Sequence, residues 1–132
     1  MASVDVPVAL LGYGTVGAAV NRLLTDSADD IERATGHRLR VVKALVRDVG
    51  KERDYPPPGG VLTTDFDEIA GDSSISVVAE VMGGIDPAGG YVLGLLRGGK
   101  HVVSANKQLV ARRGAELFEA ASAGGVQLRF EA

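Results

Sequence analysis

The stretch VALLGYGTVG, residues 8–17, decides how the rest of the chain is read. An apolar run ends at Leu11 and meets three glycines, Gly12, Gly14 and Gly17, in the pattern G-x-G-x-x-G. The run reaches back to Val4, broken only by Asp5 and Pro7. Such a strand is expected to be buried on both faces, as in a parallel sheet. After the glycines, Val16, Val20, Leu23, Leu24 and Ile31 recur at helical spacing, which predicts one amphipathic helix ended by Gly36. Asp29, Asp30, Glu32 and Arg33 then fall mostly on its solvated side. Between a buried strand and a helix, each glycine has a physical reason. The first permits the tight turn, the second lets backbone approach a pyrophosphate, and the third lets helix and strand pack closely. The helix start adds unpaired N–H groups and a partial positive charge. A tight turn without a ligand is the plainer alternative.

Working outward, Leu39–Val46 (LRVVKALV) is a second strand. Residues 47–60, polar and containing Pro56, Pro57 and Pro58, form a surface loop. Val61–Thr63 is a short edge strand, followed by a short helix to Ala70 with Asp65 and Glu68 spaced as a capping box. Ile75–Val81 is a strand. Asp86-Pro87 starts a helix carrying Val92, Leu95 and Leu96 that ends near Gly98-Gly99. His101–Ser104 is a strand, and Asn106–Ala123 a helix with Leu109, Val110, Leu117, Phe118 and Ala121 inward, stopped by Gly124-Gly125. Val126–Phe130 is the last strand. Alternation of this kind predicts an α/β fold: a doubly wound, mostly parallel Rossmann sheet with helices on both faces and right-handed crossovers. At 132 residues the chain is read as one domain, residues 1–132.

Composition narrows the function classes. There is no Cys, which excludes disulfides, thiolate metal sites and a Cys nucleophile. The 14 Lys+Arg and 17 Asp+Glu leave a net charge of −3, which argues against nucleic acid as the partner. No apolar run approaches the roughly 18–20 residues of a membrane span, so no membrane partner is expected. The first residues carry Asp5 and no Lys or Arg, so no secretory signal is read and the cytoplasm is expected. His37 and His101 lack companions at metal-ligand spacing, and Ser27, Ser73 and Ser122 lie outside any nucleophile elbow. The 18 glycines are about double the usual share of roughly 7 %, but 45 % hydrophobic content argues against disorder.

Three further places carry chemistry. The second strand ends in Arg47, Asp48 and, shortly after, Lys51. An acid at this point bonds a ribose 2′-hydroxyl and favours NAD, whereas an Arg accommodates the 2′-phosphate of NADP. The planar fork of Arg47 leans the reading to NADP, with Asp48 keeping NAD open; the alternative is an exposed charged loop. The fourth strand ends Glu80-Val81-Met82-Gly83-Gly84, where two glycines let backbone pass close to a ligand or simply make a turn. Glu80 lies within an apolar strand and, if buried, needs a partner the sequence does not name. The fifth strand ends Ser104-Ala105-Asn106-Lys107. A Lys in a first helical turn opposes the helix dipole, so Lys107 is either a functional ammonium near a substrate or nicotinamide carbonyl or a solvated side chain.

The motifs ALLGYGTVG, VRD with its following Lys, VVAEVMGGIDPA, GKHVVSANKQLVA and LRFEA, in this order and spacing, resemble the homoserine dehydrogenase family over nearly the whole chain. The combination of residues 80–88 and 99–107 is the most discriminating part. The resemblance implies an NAD(P)-dependent oxidoreductase interconverting L-homoserine and L-aspartate 4-semialdehyde in threonine, methionine and isoleucine biosynthesis. It implies that Tyr13, Thr15 and Val16, with Gly12, Gly14 and Gly17, contact the cofactor, and that Arg47 and Lys51 hold the 2′-phosphate of NADP. Gly83, Gly84 and Ser104 then line the nicotinamide side, Lys107 faces nicotinamide and substrate as the catalytic candidate, and Glu131 is the first ligand of a monovalent-cation site completed only in the full-length enzyme. The family places its substrate and dimerisation domain after such a segment, and with it the acid/base Lys. The chain is therefore expected to be a cofactor domain, inactive alone, of an enzyme that is homodimeric at full length. A stand-alone NADP-sensing module and the cofactor domain of another small-substrate dehydrogenase are the rival readings.

Overall fold

In a computed structural model, which describes residues 4–130, the apolar run at the start becomes the centre of the sheet. Strand β1, Val4–Leu11, pairs in parallel with β2, His37–Leu45, on one side and β4, Val77–Glu80, on the other. The two-residue β3, Leu62–Thr63, extends the β2 side, and β5, His101–Ser104, and β6, Leu128–Phe130, extend the β4 side. All pairings are parallel, in the order β3-β2-β1-β4-β5-β6. That order reverses between β1 and β4, and in open α/β sheets ligands lie outside the carboxyl ends of the strands at this switch point.

Burial on both faces follows from the composition of β1. Ala9 and Leu11 enter one core with Val78, Val102, Leu95 and Leu117, whereas Leu10 enters a second core with Tyr13, Val41, Ala44 and Val61. The first core is covered by α3, Asp67–Ala70, α4, Ala88–Arg97, and α5, Lys107–Gly124. The second is covered by α1, Thr15–Asp26, through Ala18, Val20 and Leu24. A second short helix, α2, Ala28–Thr35, leads into β2.

Several expectations require correction. The single helix of residues 16–36 is two helices, broken at Ser27, whose φ of −104° and ψ of 15° leave the helical region. No Gly or Pro marks the break. Val16 and Leu23, expected inward, are exposed, because Ala18, Val20 and Leu24 fill the available groove. Phe118 is also exposed; Leu117 and Ala121 take the inward positions of α5. The capping box at Asp65 does not form. Glu68 instead accepts from the Thr63 hydroxyl at 2.7 Å and the Lys43 ammonium at 3.0 Å, partners that hold its carboxyl below the ordinary range. Helix α4 begins at Ala88 with Pro87 at the cap position, and Asp86 makes no side-chain cap; the Asp86–Pro87 peptide is cis. Gly89 and Tyr91 N–H groups bond the Ile85 and Pro87 carbonyls, which closes the first turn through backbone alone.

Candidate functional site

At the switch point the carboxyl end of β1 is tied through backbone to the ends of both its neighbours, β2 and β4. The Gly12 N–H donates to Leu45 O at 3.0 Å, and the Val81 N–H donates to Leu11 O at 2.9 Å. Gly12 has a φ of +105°, and a Cβ there would stand 3.0 Å from Met82 Cα. A Cβ at Gly17 would stand 2.5 Å from the Gly12 carbonyl oxygen, so helix and turn touch backbone to backbone. A Cβ at Gly14 would meet nothing within 4 Å. Two glycines thus close the turn, and the third leaves open space at the start of α1.

That start is kept bare. Helix α1 has no side-chain cap and no acidic residue in its first turn, whereas α5 is capped by Asn106, whose Oδ1 accepts from Leu109 N at 3.1 Å. First-turn N–H groups have no intrahelical acceptor, so those of α1 are left for an anion. Thr15 and Val16, both exposed, flank them. The cradle therefore fits a pyrophosphate: open above Gly14, bounded by backbone N–H groups, and tight only where helix meets turn.

Tyr13 points elsewhere. It is buried in the second core, its hydroxyl donates to Tyr55 O at 2.7 Å, and it accepts from Asn21 Nδ2 at 3.0 Å. Its side chain fastens the loop of residues 47–60 beside the glycine turn, leaving its backbone at the turn itself. Arg22 lies over the Tyr55 ring, 5.7 Å from its centre, from the same helix. Sequence reasoning missed this clamp; the buried polar Asn21 in an otherwise apolar stripe was the available signal. Arg47 and Lys51 stand exposed on the clamped loop, two and six residues beyond the end of β2. Asp48, the residue that would favour NAD, has its Oδ1 bonded to Gly50 N at 2.9 Å. Arg53, unremarked in the sequence, folds its guanidinium onto the carbonyls of Asp48 and Lys51 and stiffens the turn.

On the β4–β5 side the partner of Glu80 becomes visible. Glu80 is fully buried. Its Oε1 accepts from the Ser104 hydroxyl at 2.8 Å, and its Oε2 from Met82 N at 3.0 Å, Gly83 N at 3.2 Å and Asn106 Nδ2 at 3.4 Å. Asn106 also donates to Gly84 O. Ser104, expected at the cofactor, is itself 1 % exposed and spends its hydroxyl on Glu80 and on Asn106 N. It shapes the edge from within and offers no hydroxyl outward. Gly83 and Gly84 are exposed, and Lys107 is the first residue of α5, exposed beside them. Glu131 lies outside the described residues. Among the described residues no His/Cys/Asp/Glu group of metal-binding size occurs.

A 3-2-1-4-5-6 parallel sheet with a bare glycine turn at its switch point defines the class: a dinucleotide-binding α/β domain. Comparison with known proteins narrows it. A family model described as "Homoserine dehydrogenase, NAD binding domain" matches residues 12–131, and the chain belongs to that family. It is 40 % identical over 125 residues to a homoserine dehydrogenase of Bacillus subtilis, covering 95 % of this chain and 29 % of that protein. It superposes on the S. aureus homoserine dehydrogenase with a TM-score of 0.90 at 37 % identity, covering 97 % of this chain and 33 % of the other. A hyperthermophilic archaeal homoserine dehydrogenase solved in complex with NADPH shares the fold at a TM-score of 0.74 and 23 % identity, covering 96 % of this chain and 44 % of the other. The chain thus spans about a third or less of the length of the first two relatives.

Proposed function

We propose that this chain is the cofactor domain of an enzyme that interconverts L-homoserine and L-aspartate 4-semialdehyde, with NADP preferred and NAD as the alternative. The bare, glycine-built start of α1 at the switch point carries the reading; the family membership supplies the reaction. When bound, a nicotinamide exchanges hydride at its C4. The chain's own residues bind and orient that cofactor. First-turn N–H groups of α1 hold the pyrophosphate, with Gly12, Gly14 and Gly17 giving access and Thr15 and Val16 alongside. Arg47, with Lys51 nearby, meets the 2′-phosphate, since a guanidinium fork pairs with phosphate bidentately; the engagement of Asp48 with Gly50 supports this preference. Gly83 and Gly84 present backbone to the nicotinamide side, and the Lys107 ammonium orients a carbonyl there.

The relatives' greater length supports placing substrate binding, acid/base groups, the homodimer contact and the ligands that would join Glu131 in a monovalent-cation site outside these 132 residues. A cytoplasmic setting in amino-acid biosynthesis agrees with that role. The test is a fluorescence titration of the purified chain with NADPH and NADH. NADPH binds more tightly, and Arg47→Ala removes the preference while leaving NADH affinity within about twofold, as loss of one phosphate contact requires. Equal affinities in the unmutated chain reject the phosphate role of Arg47. Homoserine-dependent NADPH production by the chain alone rejects its dependence on residues elsewhere.

A further inference from the structure

Glu80 is a fully buried carboxylate on the central part of the sheet, yet no positive charge is bonded to it. Burying a carboxylate is costly, and an apolar residue of similar size normally serves packing better. The partners show what the carboxylate does that an apolar residue cannot. They come from two stretches: the loop after β4, and the exit from β5 at Ser104 into the cap of α5 at Asn106. The loop is the part least able to hold its own shape. Gly83 and Gly84 are successive glycines with φ of +76° and +75°, and glycine loses more backbone freedom on ordering than any other residue. Three consecutive residues are nevertheless pinned. Met82 and Gly83 are held by their N–H groups through Glu80, and Gly84 by its carbonyl through Asn106. Asn106 in turn caps the helix that begins with Lys107.

We propose that Glu80 and Asn106 are positioning residues that set the Met82–Gly84 backbone and the Lys107 helix start in one fixed relation before the nicotinamide half of the cofactor arrives. The inference rests on the cofactor reading above. Its logic is preorganisation: ordering done in the unliganded chain is not charged against binding. The pair acts chiefly on the nicotinamide half: Met82 packs against Gly12, but no hydrogen bond of the network reaches the glycine turn's N–H groups or Arg47.

Two variants separate this role from plain stability. Asn106→Ser keeps a side-chain oxygen able to cap α5 but removes the donor to Gly84 O and Glu80. Glu80→Leu keeps the apolar bulk of the stem and removes both acceptors, which frees the Met82 and Gly83 N–H groups. The unmutated chain and both variants are titrated with NADP and with adenosine 2′,5′-bisphosphate, which carries the adenosine half only. The expected result is a roughly tenfold loss of NADP affinity, the worth of about one net hydrogen bond, with adenosine 2′,5′-bisphosphate unchanged. Amide exchange at Met82 and Gly83 in the ligand-free Glu80 variant is expected to quicken, with exchange in β1 unaltered. If both ligands weaken together, or neither does, the positioning role is overturned. If the unmutated chain binds neither ligand, the cofactor reading fails and takes this inference with it.

Discussion

Two charged side chains lie buried on the same pair of strands, at opposite ends. Glu80 stands at the carboxyl end of β4, and Lys100 immediately before the amino end of β5, 6 % exposed. Neither is paired to an opposite charge within bonding distance; each is satisfied by hydrogen bonds. The Lys100 ammonium donates to Asp72 O at 2.6 Å and to Ile75 O, two carbonyls of one short connection between α3 and β4. Glu80 collects its donors from two stretches, Met82 and Gly83 directly after it and Ser104 to Asn106 across the sheet, both at the ligand edge. The same physical problem is therefore met by the carbonyls of one turn at one end and by donors from two strand exits at the other. Lys100 seals a turn. Glu80 ties the two strand exits together, and the glycines after it remove side chains that would stand in a ligand's way.

Substitutions can break this contrast. The largest effect is expected at the ligand end, from Gly17→Ala. The new Cβ would lie 2.5 Å from the Gly12 carbonyl oxygen and 3.1 Å from its carbon, backbone atoms that cannot swing aside as a side chain can. Overpacking costs about 1–3 kcal/mol, all of it displacing α1 from the turn, so cofactor affinity is expected to fall up to about 100-fold in a fluorescence titration. Undiminished affinity would mean that the turn is not where the pyrophosphate sits. At the other end, Lys100→Ala leaves the buried Ile75 carbonyl without a donor, while the Asp72 carbonyl keeps the Ile75 N–H at 3.1 Å. Such a loss costs about 1–3 kcal/mol, so urea unfolding should show destabilisation of that order while NADPH affinity stays within about twofold. A parallel loss of affinity would show that the two ends are coupled and the contrast is false.

The fold was legible because its signals are local. The apolar run of Val8–Leu11, the glycines behind it and the regular return of strand and helix patterns each occupy a few adjacent residues, and the parallel order follows from their alternation. What failed depended on distant neighbours. Nothing near Ser27 announces a break, and the helical spacing of Val16, Leu23 and Phe118 cannot say that other residues already fill the grooves. At the site, the positions of the glycines and of Arg47 and Lys107 were readable from strand ends. The direction of the Tyr13 side chain was not, since it is set by Tyr55, 42 residues away. The partners of Glu80 were equally hidden, because Ser104 and Asn106 lie 24 and 26 residues along the chain and are brought near only by the β4–β5 pairing.

The smallest effect expected concerns pH and belongs to Lys100 alone. Burial lowers its pKa from the ordinary value of 10.5, and the nearby Asp72 carboxylate, itself held below its usual value by two bonds from Ser74, opposes that only in part. Below the lowered folded value both folded and unfolded chains carry the proton, and Lys100 gives stability no pH dependence. Between that value and 10.5 the unfolded chain holds more of the proton than the folded one, so the contribution of Lys100 to stability rises with pH. Lys100→Met keeps much of the apolar stem and has nothing to titrate. Urea unfolding followed from neutral to alkaline pH should therefore show the unmutated chain gaining on Lys100→Met as pH rises, with the remaining lysines and tyrosines cancelling between the two. Parallel curves would mean that the ammonium is as well solvated in the folded chain as in the unfolded one. Lys100 would then be no counterpart to Glu80, and the contrast between the two ends would rest on the carboxylate alone.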